Sequence, residues 1–489
     1  MKFLKKYPVF LLLLAVFFCL HGLVENYELI YIKSLALTFF YTILFIAVVY
    51  FLLKLILKNK IYTALVTFLS CGYILFFGAF LDFVKQFNLV AWLSKYAVFL
   101  TVSFLLLGFL FFVLKRKIVL QEKVFYFLNL LFIVYVLFDV ISLIIKINSI
   151  KSDNNFDYAI DKKTVQATPN VYLLLFDEYA GYESLRDSFG FKNDIFYNNL
   201  QKKGFEIVPT TANYNMTFFS ISSLLNMKLI DSNYNANKLV AKDDINRIKE
   251  IKNATVVDCF QEMGYHFYNY SIFDIKNMPM PFANSYVKTN TNLITNKILP
   301  VRLLTDLGWN LMSSNKNNSI VENYLNKDNE SNVAIEDKIL QTTIPKSAKP
   351  SFTYAHFLLP HFPYYYDSIG NKLSNVVAFN DKLIYDKNYY LSYLKYANTQ
   401  IEKMVTHLVA IDSSAIIVTM SDHGFHSYKS NENKSVFFNN FCAIRSPNQY
   451  KVSLAGHKSM VNIFPCIFNQ YFGQRFPYHT DSTIFLQYR

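Results

Sequence analysis

The sequence predicts an α/β domain carried behind five membrane-spanning helices. Three observations predict it. Five apolar runs fill the first 150 of the 489 residues, strand-like and helix-like stretches alternate from about residue 170 onward, and acidic and histidine residues gather where three strand-like runs stop.

The apolar runs lie at about 8–24, 34–56, 61–83, 96–114 and 124–145. Each approaches or exceeds the roughly 20 residues a helix needs to cross a bilayer core. The first follows "KFLKKYP", the basic start of a secretory signal. No small-x-small cleavage site follows it, and Phe18 stands where a lipoprotein signal has a small residue before Cys19, so it reads as a retained anchor. Lys2, Lys5 and Lys6 precede the first run, Lys58 and Lys60 separate the second and third, and Lys115, Arg116, Lys117 and Lys123 separate the fourth and fifth. The positive-inside bias then puts the N-terminus in the cytoplasm and everything past about residue 150 outside. The expectation is a multi-pass protein of the cytoplasmic (inner) membrane with a periplasmic or extracellular C-terminal domain. Its parts are a transmembrane domain over 1–146, a polar linker over 147–169 and a catalytic domain over 170–489. Asp139, inside the fifth run, is costly there; the reading favours a place near enough to the outer end to reach water, over a contact with a lipid head group.

Composition agrees with this division. The first 150 positions hold 14 of the 48 basic and 5 of the 35 acidic residues, a net of +9, which leaves +4 for the rest. The basic excess is therefore topological, and no basic face for nucleic acid is expected. Five widely spaced cysteines, two of them in apolar runs, read as buried thiols rather than a disulfide framework.

Beyond the linker the elements follow in order. "NVYLLLFDEYAG" reads as a strand buried on both faces, "MTFFSISSLLNM" as the opening of a helix, and "NATVVDCFQEM" as another helix leading to the strand "GYHFYNYSIF". "SFTYAHFLL" is a third strand, "NYYLSYLKYANTQIEKMVTHLVAI" an amphipathic helix, and "SSAIIVTM" a fourth strand. This alternation indicates a sheet with helices on both faces. Residues 275–345, rich in Asn and Lys, fit the pattern poorly and read as an insertion or a substrate-side cap.

In open α/β sheets the ligand crevice lies beyond the carboxyl ends of the strands. Here those ends carry Asp177 and Glu178, His356 and His361, and Asp422 and His423. Asp422 and His423 are neighbours and would face apart in a continuing strand. Gly424 offers a sharp turn through which both could converge. Carboxylate and imidazole suit a divalent ion with an open position. Asp177 is the first choice of acid on its strand and Glu178 the alternative. Thr217, in the first turn of its helix, sits where unpaired N–H groups favour an anionic phosphoryl group, although a Thr there also serves as an N-cap. His361, between two prolines, is the better substrate-side or acid/base candidate; His356 reads as a buried structural histidine, with a substrate-side role as its alternative. His426 and His457 are weaker candidates.

Taken in order, "NVYLLLFDEYAG", "NYNMTFFSISSLLNM", "YAHFLLPHFPY" and "VTMSDHG" resemble the sulfatase-like branch of the alkaline phosphatase superfamily. With five spans ahead of it, the whole resembles membrane-bound phosphotransferases such as lipoteichoic acid synthases and phosphoethanolamine transferases. The resemblance implies an alkaline-phosphatase-like α/β/α sandwich. It implies a divalent ion, Zn or Mn, on Asp177, Thr217, Asp422 and His423, with Thr217 as nucleophile and His361 toward the substrate; His356 and Glu178 are further substrate-side candidates read from the strand ends. It also implies transfer of a phosphoethanolamine or phosphoglycerol group from a membrane phospholipid donor to an envelope glycan or lipid acceptor, through a phospho-threonine. The alternatives are a sulfatase-like hydrolase or phosphodiesterase, and a non-catalytic envelope binding protein. The C/S-x-P-x-R motif of true sulfatases is missing, which disfavours sulfate esters. Many of the named transferases carry Glu where Asp177 stands, and the disulfide-rich pattern of some is missing, which bears on the substrate more than on the site.

Overall fold

The structure, a computed structural model, describes residues 2–488 except 88–91, 151–157, 232–233, 315–325, 344–348, 426–433, 448–453 and 455. The chain divides into two compact units, Met1–Asn155 with Lys288–Leu311, and Phe156–Val287 with Met312–Arg489.

The first unit is built on helices Val9–Glu25, Ile32–Ile56, Lys60–Lys85, Tyr96–Arg116 and Ile118–Ile150. Four are long and apolar enough to cross a membrane, and Val9–Glu25, at 17 residues, is shorter. Seventeen is about the lower limit for a span. Where water is absent, polar groups must find partners inside the bundle. Buried Asn129 does this by accepting from the Phe10 N–H at 2.8 Å. Asp139 corrects the expectation made for it: only 2% exposed, it pairs with His21 Nδ1 at 3.1 Å instead of reaching water.

Part of the 275–345 stretch belongs to this unit as well, in helices Asn292–Thr295 and Leu299–Ser314. Two glycines admit it. A Cβ at Gly22 would lie 2.6 Å from Ile294, and one at Gly78 would lie 2.8 Å from the Lys297 backbone.

The second unit holds the sheet. Its strands are β1 (Val171–Phe176), β2 (Phe205–Ile207), β3 (Thr210–Thr211), β4 (His266–Tyr270), β5 (Ser351–Phe357), β6 (Ile416–Ser421), β7 (Asn439–Asn440) and β8 (Cys442–Arg445). Six of them form one sheet in the order β2-β8-β6-β1-β5-β4, while β3 and β7 pair separately. The run β6-β1-β5-β4 is parallel; β8 pairs antiparallel with β6, and β2 pairs antiparallel with β8. The central strands are apolar along their whole length because both faces are covered. On one face Tyr172, Leu174 and Phe176 pack with Tyr393, Ile401 and Leu408 of helix Lys387–Ile411. On the other, Phe352 stacks on Phe260 of helix Thr255–Glu262 at 4.5 Å and meets Phe464 of helix Ile463–Phe472 at 5.9 Å. The four strands expected from sequence are β1, β4, β5 and β6; β2 and β8, three and four residues long, were not. The cysteines are free and buried, as expected.

Register aligns the strand ends. Phe176 of β1 lies level with Ser421 of β6 and Phe357 of β5, so the residues that follow them emerge at one height.

Candidate active site

Asp177 and Asp422 are the first residues past β1 and β6, and both are fully buried. His423 follows, 1% exposed, with Nε2 3.3 Å from Asp422 Oδ2 and 3.7 Å from Asp177 Oδ1. One ligand atom from each of these three lies within 4.8 Å of the others. The backbone directs them: the N–H groups of Glu178 and His423 both donate to Asp422 Oδ1, at 3.1 and 2.9 Å. His423 Nδ1 lies 2.7 Å from the Gly424 carbonyl oxygen, which can only accept, so Nδ1 carries a proton and the ring is held with Nε2 toward the carboxylates.

The chain bends at 422–424, as expected, and Asp422 and His423 converge there, but Gly424 contributes by its small size. It is not among the glycines with positive φ. A Cβ there would lie 2.0 Å from the Val436 carbonyl oxygen, so glycine is needed for close packing under His423.

Glu178 carries the left-handed turn instead, with φ +63. For a residue with a Cβ that costs about 1–2 kcal/mol. It is held by the Tyr390 hydroxyl, which donates to its carbonyl at 2.8 Å and accepts from the Ala180 N–H at 2.9 Å. Asp177 and Glu178 therefore part ways: Glu178 Oε2 lies 3.9 Å from His361 Nε2, and Asp177 faces His423.

Thr217 opens helix Thr217–Asn226, whose N-cap is Met216. As the first helical residue it is not the cap, and its side chain is buried among the three residues above. Its Oγ1 lies 3.4 Å from Asp177 Oδ1, 3.3 Å from His423 Nε2 and 2.9 Å from the Tyr286 hydroxyl. Tyr286 escaped the sequence reading because it lies in the stretch taken for an insertion, with no strand end or motif beside it. Its ring meets His361 edge-on at 5.3 Å, and His361 Nδ1 donates to the Phe362 carbonyl.

His356 is wholly buried in β5, with Nδ1 2.9 Å from the Tyr354 hydroxyl. Burial lowers its pKa to about 4, which keeps the imidazole neutral at pH 7. His457 pairs with Asp481 at 4.0 Å and stacks on Tyr478, away from these contacts. His426 lies outside the described residues.

The donor set fits a divalent cation. Asp177 Oδ2 and Asp422 Oδ2 are buried with no hydrogen-bond partner among the described residues. Burial first, then Asp422 and Glu178, raise the Asp177 pKa well above the carboxylate range. Three carboxylates buried together are costly unless a positive charge joins them.

The family model described as Sulfatase matches residues 198–459, more than half of the chain. That span contains Thr217, Tyr286, His361, Asp422 and His423, and begins after Asp177. No curated protein matches the chain. Among solved structures, the C-terminal periplasmic domain of EcEptC from Escherichia coli, in complex with Zn, is similar at 12% identity over 63% of this chain and 83% of that one, with a TM-score of 0.39. The phosphonate monoester hydrolase SpPMH from Silicibacter pomeroyi is similar at 16% identity over 64% and 75%, with a TM-score of 0.39. The C-terminal periplasmic domain of phosphoethanolamine transferase EptC from Campylobacter jejuni is similar at 12% identity over 62% and 90%, with a TM-score of 0.37.

Proposed function

The chain belongs to the sulfatase family, and from that premise we propose that it is a membrane-anchored phosphotransferase. It moves a phosphoryl-linked head group, of the phosphoethanolamine or phosphoglycerol type, from a phospholipid to an envelope glycan or lipid. The observation that carries this reading is the place of Thr217 Oγ1, within 3.4 Å of both Asp177 and His423 at the start of a helix.

In the first half-reaction Thr217 Oγ1 attacks phosphorus; the Oγ1–P bond forms and the bond from phosphorus to the diacylglycerol oxygen breaks. The Thr217 hydroxyl proton is directed at Asp177 Oδ1, and the Tyr286 hydroxyl donates to Oγ1 as negative charge grows there. The first-turn N–H groups of a helix have no partner within it, and those of the Thr217 helix would serve the incoming phosphoryl oxygens. His361 is oriented by its Nδ1 bond to Phe362, with Nε2 3.9 Å from Glu178 Oε2, and serves as the acid that protonates the departing oxygen. In the second half-reaction an acceptor hydroxyl attacks the phospho-threonine, the new O–P bond forms as the P–Oγ1 bond breaks, His361 takes the acceptor's proton, and Oγ1 recovers its own from Asp177. Asp177, Asp422 and His423, with Thr217, would hold a divalent ion, Zn or Mn by the chemistry of carboxylate and imidazole donors, which supplies positive charge against the phosphoryl oxygens. The active domain works outside the cytoplasmic membrane, where a tethered enzyme meets lipid donors.

Mass spectrometry of envelope lipids and glycans tests the reading. Cells carrying the wild-type chain should show a phosphoryl-linked head group that cells carrying Thr217→Ala lack. Identical envelopes in the two would refute it.

A further inference from the structure

The membrane unit contains a groove of about 610 Å³ that the catalytic reading does not use. It runs between helices Val9–Glu25, Lys60–Lys85, Tyr96–Arg116 and Ile118–Ile150, and Phe17, Gly72, Phe76, Phe80, Val102 and Leu106 line it. We propose that this groove binds an acyl chain of a phospholipid.

Four observations carry the proposal. The walls are open to the surroundings: Phe80, Val102 and Leu106 are 50%, 47% and 56% exposed, on helices apolar and long enough to lie in a bilayer. What surrounds such a groove is lipid. Its floor is space, since a Cβ added at Gly72 meets nothing within 4 Å. A void there would forfeit dispersion contacts that a hydrocarbon chain restores.

The length accommodates an acyl chain. Lining residues run from Phe68 to Val84 along one helix, about 24 Å at 1.5 Å per residue, against about 15 Å for half of a 30 Å hydrocarbon core.

The end of the groove at Val84 and Phe99 has polar company. Val84 and Phe99 share an apolar cluster with Phe77, Tyr96 and Leu299. On the same elements Arg302 pairs with Asp82 and Asp306, each at 2.8 Å, and the Tyr96 hydroxyl donates to Asp306. Lys288 stands within electrostatic range of Arg302, Asp306 and Asp82. Both signs of charge beside an apolar groove complement a head group that carries a phosphate and an ammonium.

The test counts phospholipid held by the full-length protein after detergent extraction, by native mass spectrometry, and so does not depend on turnover. The wild type should retain about one phospholipid per chain. Gly72→Trp and, independently, Leu106→Trp should lower retention by about tenfold or more, since each excluded methylene removes a few-fold of affinity. Leu105→Trp, at a position 70% exposed and outside the groove, should retain it. A photoactivatable phospholipid with its reactive group midway along the acyl chain should label peptides containing Gly72 and Val102 in native membranes. Equal retention in all four proteins, labelling elsewhere only, or a second copy of the chain cross-linked in the groove would overturn the proposal. None of these outcomes bears on Thr217.

Discussion

Thr217 Oγ1 lies 3.3 Å from His423 Nε2, although 206 positions separate the two residues. The sheet closes that gap. It ends β1 and β6 level, so that Asp177 and the Asp422-His423 pair emerge together, and the Thr217 helix starts against them.

Tyr286→Phe removes one hydroxyl at 2.9 Å from Thr217 Oγ1 and nothing else. A hydrogen bond to a charged group contributes about 1.5–3 kcal/mol, so kcat should fall by about ten- to a hundredfold while KM moves little. Steady-state kinetics on a phospholipid donor checks this. A change confined to KM would assign Tyr286 to ground-state binding.

Chelation should abolish turnover, and one divalent ion per chain should restore it. Asp177→Asn or His423→Ala should weaken binding of that ion, measured by elemental analysis after dialysis. In Asp177→Asn the buried carboxylates are fewer, so the metal-free protein should be no less stable than the metal-free wild type.

Gly424→Ala should destabilise the unit that holds the sheet. The added methyl would meet the Val436 carbonyl at 2.0 Å, a backbone atom that cannot step aside. Overpacking of this kind costs about 1–3 kcal/mol or more, seen as a lower Tm and as loss of the ion through displacement of His423.

His356 gives a pH dependence with a defined sign. Its folded-state pKa is lowered from 6.5 to about 4 by burial. A depressed value means that the stability it contributes is present above pH 6.5 and is lost as pH falls toward 4. The full span is about 3 kcal/mol at 1.36 kcal/mol per unit. Thermal unfolding of the purified protein at pH 7 and pH 5 should show the loss, and His356→Gln should flatten it.

Much of this arrangement was legible because the features are local. Apolar runs of membrane length, strand-length apolar runs and polar residues at their ends are properties of consecutive residues, and they gave the helices, β1, β4, β5 and β6, and the positions of Asp177, Thr217 and Asp422. What stayed hidden depends on distant parts of the chain. Tyr286 reaches Thr217 only through tertiary packing, and β2 and β8 are too short to show a period. Gly424 is needed because Val436 passes close by, which no turn rule anticipates. The part of the 275–345 stretch that joins the membrane unit does so through contacts at Gly22 and Gly78, more than 200 positions away.

The most direct measurement is the intact mass of the purified protein after a short incubation with a phospholipid donor and no acceptor, followed by peptide mapping. The account predicts a covalent phosphoryl-linked adduct on Thr217 that is absent from Thr217→Ala and cleared when acceptor is added. Turnover that proceeds in Thr217→Ala, or an adduct on any other residue, would contradict it.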